Sequence, residues 1–538
     1  MIKIKDVLKR ALTITLTACI ASTVTISAFA DEPYNTYNYD EYGEDYVAAV
    51  PAQSAYMVKE VFSGDEMDLG RLTDENDPLY VSKNAKTVLN AASDLFLDEE
   101  NQEFWVADTG NNRILRLDKN LKIIGRYYGV TGSKKKLDKK TGLSKFNTPT
   151  GIYVRKSMLD GNLYLYVADT ENDRVVKAKV NSPTECVCVQ EYVKPDSALY
   201  DAETFKPSKV VVDNAENVYA VASSVNTGAV QYKKSGEFTG FYGANHVEVT
   251  AAVMAQKLWR KIASNDQIKG MTRSVPTEYA NFDMDDEGFI YTVTEISNES
   301  NKDVVKKLNP AGYNIWDNEA GDEYEFGDLS KAKQDLANNI TFKPKLTDIV
   351  VSNNGMINIL DYETGRIFQY DELCNLVCIF GGKNNAYQKG SFLAPNAIES
   401  YNNDIYVLDG TKNDITVFAE TTFGSKLHEA YLLYDQGKYV EAEPYWNEVI
   451  QRDGGYSGAY VGLGKAVLNS DDYDTALKYF KVAYDQDDYD KSFKYARSDF
   501  LNKYFTIIII VLAVVVVLLL VRGHIRKKRR KAKERGEK

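Results

Sequence analysis

Residues that commonly carry out chemistry are sparse in this chain of 538 residues. The three histidines, His246, His428 and His524, lie far apart in the sequence. His428 falls in a helical C-terminal part and His524 in a basic tail. A histidine-rich metal centre or a Ser-His-Asp triad needs such residues brought together with further ligands or a nucleophile. We therefore predict no catalytic residue, no metal site and no cofactor.

Two short motifs approach known sites without completing them. The run Gly455-Tyr456-Ser457-Gly458-Ala459 departs from a nucleophile elbow at its last position. The run Asp283–Gly288 resembles the start of a calcium loop, but Thr294 stands at position twelve, where such loops have an acid. We interpret the first as a connection between helices and the second as a turn between strands.

The cysteines offer no disulfide framework. Cys186 and Cys188 would share one face of a strand, and Cys374 and Cys378 would lie too far apart along a strand to bridge. We do not expect these thiols to bind a metal. An exported protein without disulfides favours a Gram-positive or anaerobic bacterial surface.

Residues 1–30 have the pattern of a secretory signal peptide. Four cations precede an apolar, Thr-rich stretch, and Ala28-Phe29-Ala30 supplies the small residues of a cleavage site. An alternative remains open, because Leu16-Thr17-Ala18-Cys19 resembles a bacterial lipobox, which would leave a lipid on Cys19.

Residues 505–521 predict one transmembrane helix. This run carries no charge and consists mostly of Ile, Val and Leu, and about 17–25 apolar residues cross a bilayer. Residues 522–538 follow with ten Lys and Arg. Because cations beside a membrane helix stay in the cytoplasm, we predict a cytoplasmic C-terminus and an extracellular N-terminal part.

The formal charge of −12 is unevenly distributed. The leader contributes +3 and the tail +8, which leaves about −23 for the extracellular part. Such an acidic surface argues against nucleic acid as a ligand.

Between these ends, the chain reads as an acidic, Tyr-rich disordered spacer over 31–55, followed by short β-rich runs. One unit contains Val106–Ile114, and the next repeats it as Val167–Val175 after Phe146–Val154. Four weaker copies follow, around Pro207, Pro276, Pro344 and Pro395.

The unit F-x-x-P-x-G-I-x-V, a turn, then V-A-D-T-G-N-N-R-I resembles the NHL repeat. The resemblance implies an all-β six-bladed propeller over 56–423, each unit forming one four-stranded blade. Tyr56–Phe62 precedes the first clear unit and could supply the strand that closes the ring.

The repeated Asp, Gly and Arg residues have the types expected to stabilise the turns between strands of a blade. We predict that the carboxylates hold the turns, that the glycines permit positive φ, and that Arg113 and Arg174 reach a nearby carboxylate or carbonyl. Direct ligand contact by the two arginines is the alternative. The predicted turn residues are Asp108, Gly110, Asp169, Asp361, Gly365 and Asp409.

An insertion after Gly243 has helix-like apolar spacing over Val249–Ile262. A helix between blades usually covers one propeller face, so Trp259, Arg260 and Lys261 are candidate binding residues. The alternative is a helix that only plugs the channel.

From Leu427 the period becomes helical. Tyr445 and Trp446 recur 34 residues later as Tyr479 and Phe480, which resembles a tetratricopeptide repeat over 425–503. Such modules bind peptides or proteins, so Tyr445 and Tyr479 are candidate binding residues, whereas a rigid stalk is the alternative.

Two functions remain. The first is a single-pass membrane protein that binds ligands or a membrane or envelope protein partner, as an accessory subunit of a surface uptake or envelope system. The second is a metal-dependent propeller hydrolase or lyase of the gluconolactonase type, which would require inward side chains from several blades to converge on one axial point.

Overall fold

A computed structural model describes residues 33–536, with gaps at 42–46, 134–136, 140, 198, 201, 224, 226–227, 244–278, 286, 295–303, 317–323, 325, 329–333, 336–339, 342–344 and 385–387. The predicted signal peptide with Cys19 lies outside the described residues. So do the candidate binding residues Trp259, Arg260 and Lys261, together with His246.

The chain divides into two compact units. The first comprises residues up to Asn38 and Pro51–His428, and the second comprises Tyr39–Val50 and Glu429–Lys538. The strands are, in chain order, β1 (Tyr37–Glu41), β2 (Val47–Pro51), β3 (Tyr56–Phe62), β4 (Asp94–Asp98), β5 (Glu103–Asp108), β6 (Arg113–Leu117), β7 (Ile123–Tyr127), β8 (Gly129–Val130), β9 (Ser144–Lys145), β10 (Pro149–Lys156), β11 (Leu163–Asp169), β12 (Arg174–Ser182), β13 (Glu185–Val193), β14 (Lys206–Val212), β15 (Val218–Ser223), β16 (Ala229–Tyr232), β17 (Phe238–Tyr242), β18 (Tyr279–Met284), β19 (Ile290–Thr294), β20 (Val305–Leu308), β21 (Gln334–Asp335), β22 (Ile340–Thr341), β23 (Leu346–Val351), β24 (Ile357–Asp361), β25 (Ile367–Tyr370), β26 (Leu376–Phe380), β27 (Pro395–Tyr401), β28 (Asp404–Asp409) and β29 (Asp414–Glu420).

Six antiparallel sheets follow one another along the first unit, which confirms the predicted six-bladed propeller. Blades 1, 2 and 3 are β4–β7, β10–β13 and β14–β17, and blade 4 has β18–β20 among the described residues. Blade 5 contains β23–β26. Strands such as β5 are buried on both faces, because each sheet packs between two neighbouring sheets.

Blade 6 is assembled from the two ends of the propeller. Strands β27–β29 are completed by β3, with Ile415 paired to Phe62 and Glu420 paired to Tyr56. This pairing confirms that Tyr56–Phe62 closes the ring. It leaves the last blade without an open edge at β29.

A buried ion pair stabilises the signature turn of each of the two clear repeats. In blade 1, Asp108 accepts a hydrogen bond from the main-chain N–H of Asn90 at 2.8 Å. The guanidinium of Arg113 donates to Asp108 at 2.6 Å and to the carbonyl of Lys86 at 2.8 Å. Asp169 and Arg174 repeat this pair at 2.9 Å in blade 2. These contacts support the structural role predicted for the two arginines.

Burial argues against the alternative prediction, direct ligand contact by Arg113 and Arg174. Their side chains are 0% and 1% exposed, so neither guanidinium is available at the surface. In both turns the arginine donates its hydrogen bonds to groups inside the protein. A buried charge must be paired and hydrogen-bonded in this way.

The prediction that Gly110 is required for positive φ is wrong, since Gly110 does not have a positive φ. The left-handed position of this turn is Asn112, with φ of 52°, and Asp173 takes it in blade 2. A Cβ at Gly110 would lie 2.7 Å from the carbonyl oxygen of Asn90, so close approach of the chain requires the glycine. Gly365, by contrast, has φ of 70° as predicted.

The other predicted turn carboxylates accept main-chain hydrogen bonds. Asp361 accepts from the N–H groups of Lys345 at 2.7 Å and Glu363 at 3.0 Å. Asp409 accepts from Leu393 at 2.6 Å. These contacts support the assigned role of turn stabilisation.

Replacing Arg113 with lysine is expected to lower the free energy of unfolding by about 1–2 kcal/mol, because a lysine keeps the charge but loses the fork of donors. Arg116→Lys is the matched control, since the Arg116–Glu103 pair is more exposed. Urea denaturation of both variants would measure the difference. An equal cost at both positions would contradict the assigned role of Arg113.

The spacer predicted as disordered over 31–55 is partly structured. Tyr37 pairs with Ile379, so β1 extends the sheet of blade 5. The Tyr37 hydroxyl donates to Asp328 at 2.5 Å, and the Arg366 guanidinium lies 4.8 Å from its ring centroid. The prediction failed because these aromatic contacts supply stability that apolar periodicity does not reveal.

Five helices follow the propeller: α1 (Thr422–Asp435), α2 (Tyr439–Arg452), α3 (Ser457–Leu468), α4 (Tyr473–Ala483) and α5 (Gln486–Glu534). Within the second unit, the indole of Trp446 packs on Gly462 and the ring of Phe480 on Gly464. The large residues repeat at a spacing of 34 and pack on small ones, as the sequence predicts for a helical module.

Substituting Gly464 by valine is expected to destabilise the second unit by about 1–3 kcal/mol, through overpacking. A Cβ at Gly464 would lie 2.5 Å from the Phe480 ring. In a double-mutant cycle, Phe480→Ala should relieve part of this cost. Strictly additive losses would show that the two residues do not pack together.

Candidate functional site

The axis of the propeller carries a cluster of polar side chains. In blades 2 to 6 the inner strand has a register shift near its start, and the residue after this shift faces the axis. In blade 1 the equivalent residue is Asp94, the first residue of β4, which pairs with Ala107 as Gly151 pairs with Ala168 in blade 2. The six equivalent residues, one from each blade, are Asp94, Gly151, Lys209, Asn281, Asp348 and Ala397. We call this set the axial layer. Four polar groups from four blades therefore meet at one level of the channel.

Lys209 and Asp94 form an ion pair across the axial layer. The Nζ atom of Lys209 in blade 3 lies 2.5 Å from the Asp94 carboxylate in blade 1. Gly151 of the intervening blade 2 lies against the main chain of Lys209, where a Cβ would be 2.7 Å from the Lys209 Cα. The glycine of the repeat thus allows close packing of inner strands and leaves the lysine a path to Asp94.

Both aspartates of the axial layer also bind the next blade. Asp94 accepts from the main-chain N–H of Ile152 at 2.7 Å, and Asp348 accepts from that of Ile398 at 2.8 Å. Asn281 of blade 4 donates its side-chain amide to Asp348. Each carboxylate therefore connects two blades as well as facing the channel.

A second polar layer lies one inward position further along the strands. Asp283 accepts from the N–H of Val351 in blade 5 at 2.9 Å, and Glu399 faces the same cavity from blade 6. Phe96 and Tyr153 contribute aromatic rings whose centroids are 4.8 Å apart. Asp283 and Glu399 are partly exposed to the channel, whereas Asp348 is 3% exposed.

Burial dominates the protonation of this cluster. It raises the pKa of Asp283 and of Asp348 to about 7 each, against the opposing effect of hydrogen bonds and, for Asp348, of Lys209. Burial also raises the pKa of Glu399 well above its ordinary value, and neighbouring Asp283 adds to the shift. The pKa of Asp94 is raised by burial in spite of Lys209. We therefore expect Asp283 and Asp348 to change protonation state near neutral pH.

The space between these side chains is small. The cavity that they line has a volume of about 30 Å³, room for one or two water molecules. Drug-sized ligands occupy pockets of roughly 300–1,000 Å³. In this conformation, the cluster can bind water and store protons, and it has no room for an organic substrate.

The axial residues do not fit a metal ion. The ammonium of Lys209 already holds Asp94, and the amide of Asn281 already holds Asp348. Over the part of the chain that the structure describes, no group of three or more His, Cys, Asp or Glu side chains is arranged to hold a metal. A cation would have to displace the lysine from the layer that it neutralises.

Of the binding residues predicted from the sequence, the four that the structure describes lie outside this cluster. Tyr445 and Tyr479 are half-buried on α2 and α4 of the second unit, and Arg113 and Arg174 are in the blade turns. The axial residues could have been found by aligning the repeats, because in three copies each stands two residues after the repeat proline, at Pro149, Pro207 and Pro395. The contacts that these side chains make could not have been found in this way.

His428 belongs to a second buried network. Its Nε2 lies 2.6 Å from the side-chain Oε1 of Gln369, and its Nδ1 contacts the Glu420 carboxylate. The Gln369 amide also donates to the hydroxyl of Tyr56 at 3.0 Å. This network joins blade 5 to the closing strand β3, and it places His428 in a structural role.

Comparison with known proteins gives fold likeness only. No protein-family model matches the sequence, and no curated protein is similar to it. Virginiamycin B lyase from Staphylococcus aureus is 10% identical, with a TM-score of 0.36 over 73% of this chain and 97% of that one. The periplasmic gluconolactonase of Pseudomonas aeruginosa is 12% identical, with a TM-score of 0.37 over 73% and 93%.

The extracellular domain of a protein described as a hybrid two component system, from B. thetaiotaomicron, is 12% identical, with a TM-score of 0.34 over 71% of this chain and 40% of that one. These three neighbours are two enzymes and one extracellular domain. At these identities they carry no argument about activity. The strand order and ring closure of the chain itself establish the six-bladed propeller.

Proposed function

We propose that the chain is a single-pass membrane protein whose extracellular propeller and helical module bind a membrane or envelope protein partner. The blade units resemble NHL repeats and the helices resemble tetratricopeptide repeats, and both classes of module serve as binding platforms. In this proposal the C-terminal tail is cytoplasmic, and the propeller acts in a surface uptake or envelope system.

The continuity of α5 carries this proposal. Its 49 residues run from the helical module through the apolar stretch 505–521 to Glu534. By length and composition it is the one helix among the described residues that could cross a membrane, and its apolar window is not buried in the protein. An apolar run of this length that none of the described residues buries is suited to a bilayer, which supports the proposal.

Crosslinking the full-length protein in its native membrane and purifying it from detergent would test the proposal. We expect a stoichiometric membrane or envelope protein to co-purify. A double variant, Tyr445→Ala with Tyr479→Ala, should reduce its recovery, whereas Tyr313→Ala, at an exposed propeller position, is the control. Recovery of the protein from the soluble fraction, or with no partner, would overturn the proposal.

A propeller hydrolase or lyase is the second candidate, because side chains from four blades do converge on the axis. The lysine in the axial layer and the 30 Å³ cavity favour the binding role over this one. Measurement of bound metal and of lactone hydrolysis by the purified protein would decide. Turnover that is lost in Asp348→Asn and kept in Asp160→Asn would favour the enzyme.

A further inference from the structure

A cavity of ligand size opens where blade 6 meets blade 1. Its volume is about 360 Å³, within the range of roughly 300–1,000 Å³ that small-molecule sites occupy. Strands β28, β29 and β3 of blade 6 form one wall, and the turn between β6 and β7 of blade 1 forms the other. We call it the seam cavity. It is separate from the axial cavity, and the described residues that line the two are different.

The floor of the seam cavity is apolar. Leu121 and Val417 are 1% and 3% exposed, and Phe62 packs against the same core. Leu121 has φ of 57° in the turn between β6 and β7, a left-handed conformation that leucine rarely adopts. The equivalent turn of blade 3 has Gly236 at this position, with φ of 88°. Blade 1 therefore holds a strained residue that places a large apolar side chain beneath the cavity.

One polar group beside this floor lacks a partner. Tyr406 lines the cavity and is 7% exposed, and its hydroxyl makes no hydrogen bond with any residue that the structure describes. Burial raises the pKa of Tyr406, and Asp404 adds to the shift, so the phenol stays protonated and can both donate and accept. A buried hydroxyl without a partner is unfavourable, and a polar group of a ligand would relieve this.

Tyr406 stands in a row with Val417 and Glu60 on one face of blade 6. Tyr406 pairs with Val417 across β28 and β29, and Val417 pairs with Glu60 across β29 and β3. Neighbouring strands are about 4.8 Å apart, so Glu60 lies about 10 Å across the sheet from Tyr406. A bulge at Lys59 brings that residue to the same cavity, next to Glu60. The row thus joins the unpartnered hydroxyl to a charged rim.

The rim of the seam cavity offers charges of both signs. Lys59 and Lys122 each donate to an oxygen acceptor at 2.6 Å, and the Glu66 carboxylate accepts a main-chain hydrogen bond at 3.0 Å. Lys119 and Glu60 are exposed, and neither side chain has a partner among the residues that the structure describes. A ligand that carries both charges would pair with both groups, whereas a ligand of one charge would face a like charge across the rim.

From this arrangement we propose that the seam cavity binds a free α-amino acid whose large side chain ends in a polar group, as that of tyrosine does. The carboxylate of the ligand pairs with Lys119 and its ammonium with Glu60. Its side chain covers the apolar floor and brings its polar end to the Tyr406 hydroxyl. This site is independent of the membrane span and of the protein partner proposed above.

Equilibrium dialysis of the full-length chain in detergent against labelled L-tyrosine tests the proposal. We expect one saturable site per chain. Three related probes each lack one recognised group: L-phenylalanine lacks the phenol, tyramine lacks the carboxylate, and 3-(4-hydroxyphenyl)propionate lacks the ammonium. Each should bind at least about tenfold more weakly than L-tyrosine, because a buried or rim group is then left unpaired.

Substitutions assign the contacts. Tyr406→Phe should weaken L-tyrosine binding at least about tenfold and leave L-phenylalanine binding unchanged, a selectivity that a misfolded variant would not show. Lys119→Gln should lower the affinity for L-tyrosine to that for tyramine. Lys234→Gln is the matched control, because Lys234 is exposed at the same position in the equivalent turn of blade 3. It should leave L-tyrosine binding unchanged.

No saturable binding of L-tyrosine by the parent chain would overturn the proposal. Equal affinity for L-tyrosine and L-phenylalanine would also overturn it, since the Tyr406 hydroxyl would then recognise nothing. A loss of binding in Lys234→Gln as large as that in Lys119→Gln would place the amino acid outside the seam cavity.

Discussion

Lys209→Met is expected to lower the free energy of propeller unfolding by about 3–5 kcal/mol, the cost of removing one partner from a buried ion pair. The Lys209 Nζ lies 2.5 Å from the Asp94 carboxylate, and the two side chains are 12% and 7% exposed. Methionine fills a similar volume but leaves Asp94 without its cation. Because Asp94 also holds the N–H of Ile152, the loss should loosen the contact between blades 1 and 2.

Two controls separate charge from packing. Adding Asp94→Asn to Lys209→Met removes the stranded charge, so the double variant should be more stable than the single one. Lys233→Met breaks an exposed pair with Glu237 and should cost under about 1 kcal/mol. Denaturation in urea, followed by tryptophan fluorescence, measures all three. A double variant as unstable as the single one would argue against a charge effect.

Raising the pH from 5 to 8 is expected to destabilise the folded propeller. Burial raises the pKa of Asp283 and Asp348 to about 7 each, so the folded protein holds more protons than the unfolded chain between about pH 4 and 7. The stability from each group is complete below its unfolded pKa and is lost as pH rises through the folded pKa. Each contributes about 2–3 kcal/mol of change over this range.

Asp348→Asn should reduce this pH dependence, since it removes one of the titrating groups. The slope against pH is the informative quantity, because the asparagine also changes hydrogen bonds at constant pH. Asp160→Asn is the control. Hydrogen bonds from Tyr164 and Asn162 lower the pKa of Asp160 to about 2, so this carboxylate stays charged from pH 5 to 8. An unchanged slope in Asp348→Asn would show that Asp348 does not titrate here.

The sequence alone determined the features that repeat or that lie in one continuous run. The propeller, its closure by Tyr56–Phe62, the helical module and the apolar stretch 505–521 were all predicted, because each has a period or a length that follows from local physics. The sequence also predicted that Arg113 reaches a nearby carboxylate or carbonyl, but its pairing with Asp108 is seen only in the structure.

Only the tertiary structure decided the axial cluster. Asp94 and Lys209 are 115 residues apart, and they meet because the ring brings the same strand position of every blade to one axis. The tertiary structure also showed that the side chains of Arg113 and Arg174 are buried. It showed that Gly110 is required by close approach of the chain at Asn90, and that Tyr37 pairs with blade 5. Contacts between distant segments depend on ring closure, and no local pattern of residues records which side chains that closure brings together.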